Sequence, residues 1–177
     1  MTEETLAPGE DLRYCPHCAV PLVYRLLPTE DRPRLVCDRG HILYVNPKLV
    51  VNVVPERRGR LLLMRRAIEP RHGAWTMPGG FMEIDESVEQ CAVREALEET
   101  GVTVRLLELV GVYSKPAPEG PGVVSIVYRG RVTGGRPNAG REALEVRWFR
   151  PEEIPWEELA YDTTRWALRD WLQGRRR

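Results

Sequence analysis

The chain has 177 residues, of which 42% are hydrophobic and 29% charged, and its formal net charge is zero. This composition is typical of a globular protein with one main core and a small appendage. A chain without net charge has no overall field that attracts nucleic acid or a membrane surface, so neither is expected as a partner. No apolar run reaches the ~20 residues that a membrane-spanning helix needs. The first eleven residues are acidic and polar, unlike a signal peptide, and a cytoplasmic location is expected.

The N-terminal part is predicted to divide into two segments. Residues 1–12 are expected to be a disordered lead-in. Residues 13–46 carry three cysteines and two histidines with little else to form a core. Because cysteines in a cytoplasmic chain indicate metal binding or free thiols before disulfides, this segment is a candidate metal-binding ribbon. Residues 47–177 are then predicted to form the main domain.

The main domain is predicted to begin with a hairpin. Residues 49–54 and 61–64 are strand-like, and residues 57–59 form the turn between them. Residues 69–80 are rich in proline and glycine, which predicts a loop with a short strand near Trp75.

A capped helix follows this loop. Ser87 and Gln90 form a capping-box pattern, and Gly101 stands where a C-terminal cap belongs. The remaining elements are predicted as strands at residues 106–113, 123–132 and 145–149, a loop at residues 134–140, and a packed helix at residues 163–172. This order of strands and helices predicts an α+β fold with α/β/α layering and a mixed sheet.

The capped helix carries three glutamates on one face. Glu95, Glu98 and Glu99 are spaced i, i+3 and i+4, which places their carboxylates side by side. Like charges at this spacing repel, so the arrangement is unfavourable unless a cation lies among them. Hard oxygen ligands suit Mg²⁺ or Mn²⁺, which also bind substrate phosphates. A solvated acidic face explains three glutamates taken alone. The glycine loop before the helix, with Glu86 and Arg94 at fixed offsets, favours a metal site.

Residues 80–101 resemble the Nudix box. That motif is a glycine, five residues, a glutamate, seven residues, and then Arg-Glu-x-x-Glu-Glu-x-Gly. The positions that match without a gap are Gly80, Glu86, Arg94, Glu95, Glu98, Glu99 and Gly101. The one departure is Ala96, where a larger aliphatic residue is common. The resemblance implies a catalytic loop–helix–loop that binds Mg²⁺ or Mn²⁺. It also implies hydrolysis of a nucleoside diphosphate that is linked to another group.

The resemblance also implies roles for individual residues. It gives Glu98, Glu99, Glu142 and Arg94 as catalytic residues, and Glu95, Glu98, Glu99, Gly79 and Glu142 as ligands of the magnesium. Arg94 and Glu86 are also expected to be a structural pair that fixes the helix against the loop. Which glutamate activates water differs among Nudix enzymes and stays open.

Glu142 is carried over from its position six residues before Trp148. Related zinc-ribbon Nudix enzymes have an acid there that faces the metals. Glu145 is the alternative, and it is otherwise expected to face solvent on a strand.

The cysteines resemble the zinc ribbon of the same family. Cys15 and Cys18 form a two-residue knuckle, and Cys37 follows after eighteen residues. The family usually has Cys-x-x-Cys-Gly-His at the second knuckle, whereas this chain reads Cys-x-x-Gly-His. His41 is therefore the expected fourth ligand of a structural Zn²⁺, and His17 is the competitor. The alternative is a ribbon of packed cysteines without zinc.

Over residues 14–172 the chain resembles zinc-ribbon Nudix hydrolases, most closely the ADP-ribose/FAD pyrophosphatases. That resemblance implies cleavage to AMP and a phosphorylated remainder, and it is compatible with a homodimer. The proline-aromatic array of NADH pyrophosphatases is absent from residues 112–119. The predicted substrate-binding residues are Arg66, Trp75, Phe81, Tyr161 and Pro118, although core packing is the favoured explanation for Trp75. The alternatives are a nucleoside triphosphate house-cleaning hydrolase, an NADH pyrophosphatase and a non-catalytic regulator.

Overall fold

The computed structural model describes residues 12–115 and 122–174. Contacts divide the described residues into two compact units, one comprising residues 12–48 with 122–123 and the other residues 49–115 with 124–174. The predicted lead-in, apart from Leu12, lies outside the described residues, as does Pro118. Among the described residues no helix is long and apolar enough to cross a membrane.

The smaller unit contains a three-stranded antiparallel sheet. Its strands are β1 (Leu22–Arg25), β2 (Arg34–Cys37) and β3 (Ile42–Leu43), with β2 in the centre. Leu35 and Val36 are buried together with Cys15 and Cys37. The ribbon therefore has a small apolar core of its own, which the sequence analysis did not anticipate.

The larger unit is built on a seven-stranded sheet. Its strands are β4 (Lys48–Arg57), β5 (Arg60–Arg66), β6 (Trp75–Thr76), β7 (Gly79–Phe81), β8 (Val102–Lys115), β9 (Val123–Gly135) and β10 (Ala143–Phe149). The main path runs β10-β5-β4-β9-β8, while β6 pairs with β5 and β7 pairs with β4. Strand β7 was predicted as part of a loop. It forms because Gly79–Phe81 lie antiparallel to β4 from Val50 to Asn52.

The β4–β5 hairpin confirms the predicted turn. Arg57 pairs with Arg60, and the residues between them, Arg58 and Gly59, have φ values of 51° and 79°. Positive φ at both central residues is what a two-residue I′ turn requires, and this turn fixes the register of the two strands.

The two α-helices confirm the predicted pair. Helix α1 (Val88–Thr100) begins at Ser87, whose side chain accepts a hydrogen bond from the Gln90 backbone N–H, while the Gln90 side chain accepts from the Ser87 N–H. It ends at Gly101, which has a φ of 69°. Helix α2 spans Asp162–Gly174, and short 3₁₀ turns at Pro151–Glu153 and Trp156–Glu158 precede it.

The helices cover opposite faces of the sheet. One core cluster joins Val51, Val53 and Leu62 to the buried face of α1 at Cys91, Ala92 and Ala96. The other joins Val54, Leu61, Leu63 and Phe149 to the buried face of α2 at Ala167, Leu168 and Trp171. Because neighbouring strand residues point to opposite faces, the sheet separates two cores, and the expected α/β/α layering is confirmed.

Candidate functional site

Helix α1 holds its three glutamates in different environments. Glu95 and Glu99 are each only 8% exposed, whereas the Glu98 side chain is 58% exposed. Helix α1 packs its buried face against β4 in a shared core, and this packing also removes Glu95 and Glu99 from water. Burying an ionised carboxylate is costly unless it is paired, so these two positions need a chemical explanation.

Burial raises the pKa values of both buried glutamates. Burial, together with the charges of Glu95 and Glu142, raises the pKa of Glu99 to about 8, although a hydrogen bond from Gly79 lowers it. Burial also raises the pKa of Glu95, in spite of the neighbouring Arg94. The site therefore concentrates carboxylates beyond what its own cations neutralise.

Arg94 is fully engaged with protein groups. Its Nε donates to Glu86 at 3.0 Å, and its Nη1 donates to Glu95 at 2.7 Å and to Glu98 at 3.2 Å. The remaining Nη2 donates to Glu86 and to the carbonyl of Phe81. The hydrogen bonds from Arg94 hold the pKa of Glu86 down at about 2. Because every nitrogen of this guanidinium already donates, the structure favours the structural interpretation of Arg94.

The loop before α1 approaches the carboxylates through two glycines. The Gly79 N–H donates to Glu99 Oε2 at 2.7 Å. A Cβ at Gly79 would run into the Val51 carbonyl, and a Cβ at Gly80 would run into the Glu95 carboxylate. Gly79 therefore requires glycine, because its Cβ would meet backbone, whereas a Cβ at Gly80 would displace the Glu95 carboxylate.

The loop before β10 brings Glu142 to the same place. The Gly140 N–H donates to the Glu99 carbonyl at 3.0 Å, and the Glu142 carbonyl accepts from the Ala67 N–H at 2.8 Å. These bonds tie the loop to the end of α1 and to the end of β5. The Glu142 carboxylate is near enough to raise the pKa of both Glu95 and Glu99. Glu145 lies farther along β10, in register with Arg65, so the geometry favours Glu142.

A second cluster of ligand atoms lies in the smaller unit. The ligand atoms of Cys15, Cys18, Cys37 and His41 all lie within 4.8 Å of one another. His41 Nδ1 is 3.6 Å from the Cys15 sulfur and 3.5 Å from the Cys37 sulfur. Burial raises the pKa of the Cys37 thiol, but hydrogen bonds from the backbone and from Cys18 and His41 outweigh it and leave the pKa at about 6. His17 is exposed, with its ring centroid 5.2 Å from that of His41.

Comparison with known families agrees with both clusters. Residues 46–172 match the NUDIX domain family, and residues 13–45 match the zinc-ribbon family described as Nudix N-terminal. The chain belongs to the Nudix hydrolase family. As a member of it, the protein is an enzyme that hydrolyses phosphorus-containing anhydrides.

Individual relatives show how far the likeness to other Nudix hydrolases extends. The chain is 37% identical over 132 residues to an ADP-ribose pyrophosphatase of Methanocaldococcus jannaschii, which covers 74% of this chain and 76% of that protein. It is 32% identical over 147 residues to an NAD-capped RNA hydrolase of Chromobacterium violaceum, but spans only 52% of that protein. A solved Nudix hydrolase from Nitrosomonas europaea superimposes with a TM-score of 0.85 at 36% identity, covering 93% of this chain and 92% of the other.

Two of the predicted substrate-binding residues lie together. The Arg66 guanidinium carbon is 5.4 Å from the centroid of the Tyr161 ring, and both side chains donate to the carbonyl of Pro70. Arg66 is also in register with Ala143, next to Glu142. The pair therefore stands beside the carboxylates of this Nudix domain.

Among the predicted substrate-binding residues, Trp75 lies in the core. Trp75 is 4% exposed and packs edge-on against Phe149, with the ring centroids 4.9 Å apart. Its ring belongs to the core on the α2 side, where packing rather than stacking on a substrate explains it. Phe81 is 53% exposed on β7, directly after Gly80.

Sequence reasoning missed two buried polar residues next to the glycine loop. Asn52 is 8% exposed and Ser125 3% exposed, and the Asn52 amide nitrogen donates to the Ser125 hydroxyl at 2.9 Å. Asn52 pairs in register with Gly79. A signal was present, since Asn52 is the only polar residue among residues 49–54.

Proposed function

We propose that this Nudix hydrolase uses Mg²⁺ or Mn²⁺ to cleave the pyrophosphate bond of a nucleoside diphosphate linked to another group. The proposed substrate is ADP-ribose or FAD, and the products are AMP and a phosphorylated remainder. The observation that carries the proposal is the pair of buried glutamates on α1, Glu95 and Glu99, with Glu142 close enough to raise the pKa of both.

The residues present fit a hard divalent cation. The donors are carboxylate oxygens, which Mg²⁺ and Mn²⁺ prefer. Burial and the charges of Glu95 and Glu142 raise the pKa of Glu99, and a divalent cation bound there would favour its ionised form. Glu95, Glu98, Glu99, Glu142 and the Gly79 carbonyl are the proposed ligands.

The protein's own groups prepare this site before any substrate arrives. The Gly79 N–H fixes one oxygen of Glu99 at 2.7 Å. Arg94 fixes Glu95 and Glu98 and ties α1 to the preceding loop through Glu86. A divalent cation bound there neutralises charge on the bridging phosphates and lowers the pKa of the attacking water. Glu98, Glu99 and Glu142 are the candidates that accept the proton from this water.

The choice of ADP-ribose or FAD is supported by two observations. The first is the 37% identity to a protein named ADP-ribose pyrophosphatase. The second is the pair of Arg66 and Tyr161 beside the carboxylates, since a guanidinium suits a phosphate and a phenol ring suits a flat base. The substrate is accordingly a small nucleotide with two phosphates and an adenine.

We further propose that the ribbon, residues 13–46, binds one structural Zn²⁺ through Cys15, Cys18, Cys37 and His41. Three thiols and an imidazole nitrogen within 4.8 Å are a complete tetrahedral donor set for zinc. Residues 47–177 form the proposed hydrolase domain.

A substrate panel tests the proposed function. The values of kcat/KM for ADP-ribose, FAD, NADH and dGTP are measured at one magnesium concentration. ADP-ribose or FAD is expected to lead. A tenfold or larger lead for NADH or dGTP would overturn the substrate assignment, and no magnesium-dependent cleavage of any of them would overturn the proposal as a whole.

A further inference from the structure

Asn52 and Ser125 form a polar pair within an apolar layer. Val51 and Val53 belong to the core cluster of α1, so Asn52 between them points to the opposite face of the sheet. There its amide nitrogen donates to the Ser125 hydroxyl at 2.9 Å. Burying two polar side chains costs stability unless each of their polar atoms finds a partner. The pair is therefore a feature that core packing alone does not explain.

The Asn52 carboxamide oxygen lacks such a partner. Among residues 12–115 and 122–174 no group donates a hydrogen bond to this atom, and it is not among their fully buried unpaired side-chain atoms, so it retains some access to solvent. The oxygen lies 2.5 Å from the point that a Cβ on Gly79 would occupy. It thus faces the Gly79 Cα, whose C–H groups are weak donors, and this contact orients the oxygen toward β7 and the nitrogen toward β9.

The position of this oxygen connects it to the site. Asn52 pairs with Gly79, whose N–H holds Glu99. Neighbouring strands lie about 4.8 Å apart, so the Asn52 side chain is one strand away from the backbone that the carboxylates contact. A nucleotide that binds with its diphosphate against these carboxylates is longer than the spacing between two neighbouring strands.

We propose that the Asn52 carboxamide oxygen accepts a hydrogen bond from the uncharged part of the nucleotide substrate, which makes Asn52 a specificity-determining residue. Ser125 is its positioning residue, because it holds the amide nitrogen. This inference rests on the proposed function. The diphosphate offers acceptors only and cannot pair with an acceptor oxygen. The proposed donor lies on the adenosine half of the substrate, whose donors are its two ribose hydroxyls and the amino group of its base, and one of these is the group that Asn52 contacts.

Substrate analogues crossed with variants test this assignment. The substrates are ADP-ribose, its hypoxanthine analogue, which lacks the amino group, and its adenosine-side 2′-deoxy and 3′-deoxy analogues, which lack one hydroxyl each. A site that leaves a buried polar group unpaired rejects the analogue, so the wild type is expected to lose about tenfold or more in kcat/KM with one of them. The analogue that loses identifies the donor.

The Asn52→Ala variant is expected to cleave ADP-ribose and that analogue at similar rates, and Ser125→Ala is expected to lose part of the discrimination. The double variant Asn52→Ala/Ser125→Ala removes both halves of the pair and serves if the single one folds poorly. Thermal unfolding and magnesium activation are measured in parallel to verify folding. If Asn52→Ala discriminates as the wild type does, or if the wild type accepts all analogues equally, the inference is wrong.

The two proposals fail in different ways. If neither ADP-ribose nor FAD is cleaved, the proposed substrate is wrong, and the same comparison is made with the best-cleaved nucleotide of the panel and its deamino and deoxy analogues. The rate of the wild type reports the proposed function, whereas the ratio between substrate and analogue in the two proteins reports the contact of Asn52.

Discussion

The carboxylate face of α1 and the cysteine–histidine cluster of the ribbon collect ligand atoms in two different ways. The carboxylates stand on a capped helix whose Cys91, Ala92 and Ala96 are fully buried against the sheet. The sulfur and nitrogen ligands lie around three short strands of two to four residues, with Leu35 and Val36 as the principal apolar core. The first site is thus shaped by packing, and the second depends on its own ligands for shape.

This difference has a consequence for function. A site shaped by packing keeps its geometry when one ligand is changed, so a substitution there affects the chemistry. A site that depends on its ligands loses its fold with them, so a substitution there affects the structure. Substitutions at the proposed magnesium site are therefore expected to lower activity, and substitutions at the proposed zinc site are expected to disturb the fold.

The largest effect is expected from the glutamates of α1. Glu98→Gln and Glu99→Gln are each expected to lower kcat about a hundredfold or more, because charge stabilisation of the transition state is lost while the helix remains packed. Steady-state rates and circular dichroism measure the two parts. Glu89→Gln is the matched control, since Glu89 lies on the same helix but is exposed and accepts a hydrogen bond from Tyr128. Near-normal rates at saturating magnesium in both variants would contradict the assignment.

A smaller but specific effect is expected in the ribbon. The protein purified without added metal is expected to contain about one zinc per chain by elemental analysis. His41→Ala is expected to weaken zinc retention by tenfold or more against a chelator, because His41 Nδ1 lies 3.5 Å from the Cys37 sulfur, whereas His17→Ala retains zinc. The opposite ranking would make His17 the fourth ligand, and a folded, active protein free of zinc would reject the site.

The glycine loop provides a comparison within the packed site. Gly80→Ala is expected to lower kcat about tenfold with little change in Tm, because the new Cβ displaces the flexible end of Glu95 rather than backbone. The control is Gly134→Ala, where the added Cβ finds its nearest neighbour at 3.9 Å. Equal activity of Gly80→Ala and the wild type would show that the position of Glu95 does not matter for turnover.

The smallest effect is expected at Tyr161. Tyr161→Ala is expected to raise KM for ADP-ribose a few-fold without changing kcat, because a stacked ring contributes about 0.5–1.5 kcal/mol beyond its burial. Tyr161→Phe keeps the ring and loses only a 3.5 Å hydrogen bond to Pro70, so its KM is expected to stay near that of the wild type. A change in kcat with unchanged KM would place Tyr161 outside the substrate site.

Local chemistry accounts for what could be predicted from the sequence. The ends of α1 can be predicted from Ser87, Gln90 and Gly101, because capping involves residues three or four positions apart. The hairpin turn is similarly local, since Arg58 and Gly59 supply both positive φ values. The spacing of the glutamates predicts a shared face from the helical period alone.

Long-range pairing accounts for what could not be predicted. Strand β7 forms only by pairing with β4, which lies far from it in the sequence.

 In this pair Val50 and Phe81 are 31 positions apart, and Asn52 and Gly79 are 27 apart. The local sequence of residues 79–81 does not predict the pairing. The hydrogen bond between Asn52 and Ser125 joins residues 73 positions apart. Trp75 could stack on a ligand or pack in the core on sequence grounds, and only its contact with Phe149 decides for the core.

Binding of Mn²⁺ to the substrate-free enzyme, followed by electron paramagnetic resonance, tests the central claim most directly. We predict that the wild type and Glu89→Gln bind Mn²⁺ alike and that Glu99→Gln binds it at least tenfold more weakly, because one buried carboxylate of the cluster is lost. Zinc content, measured on the same samples, is expected to be equal in all three proteins. Unchanged Mn²⁺ affinity in Glu99→Gln would contradict the claim that the packed face of α1 is the catalytic metal site.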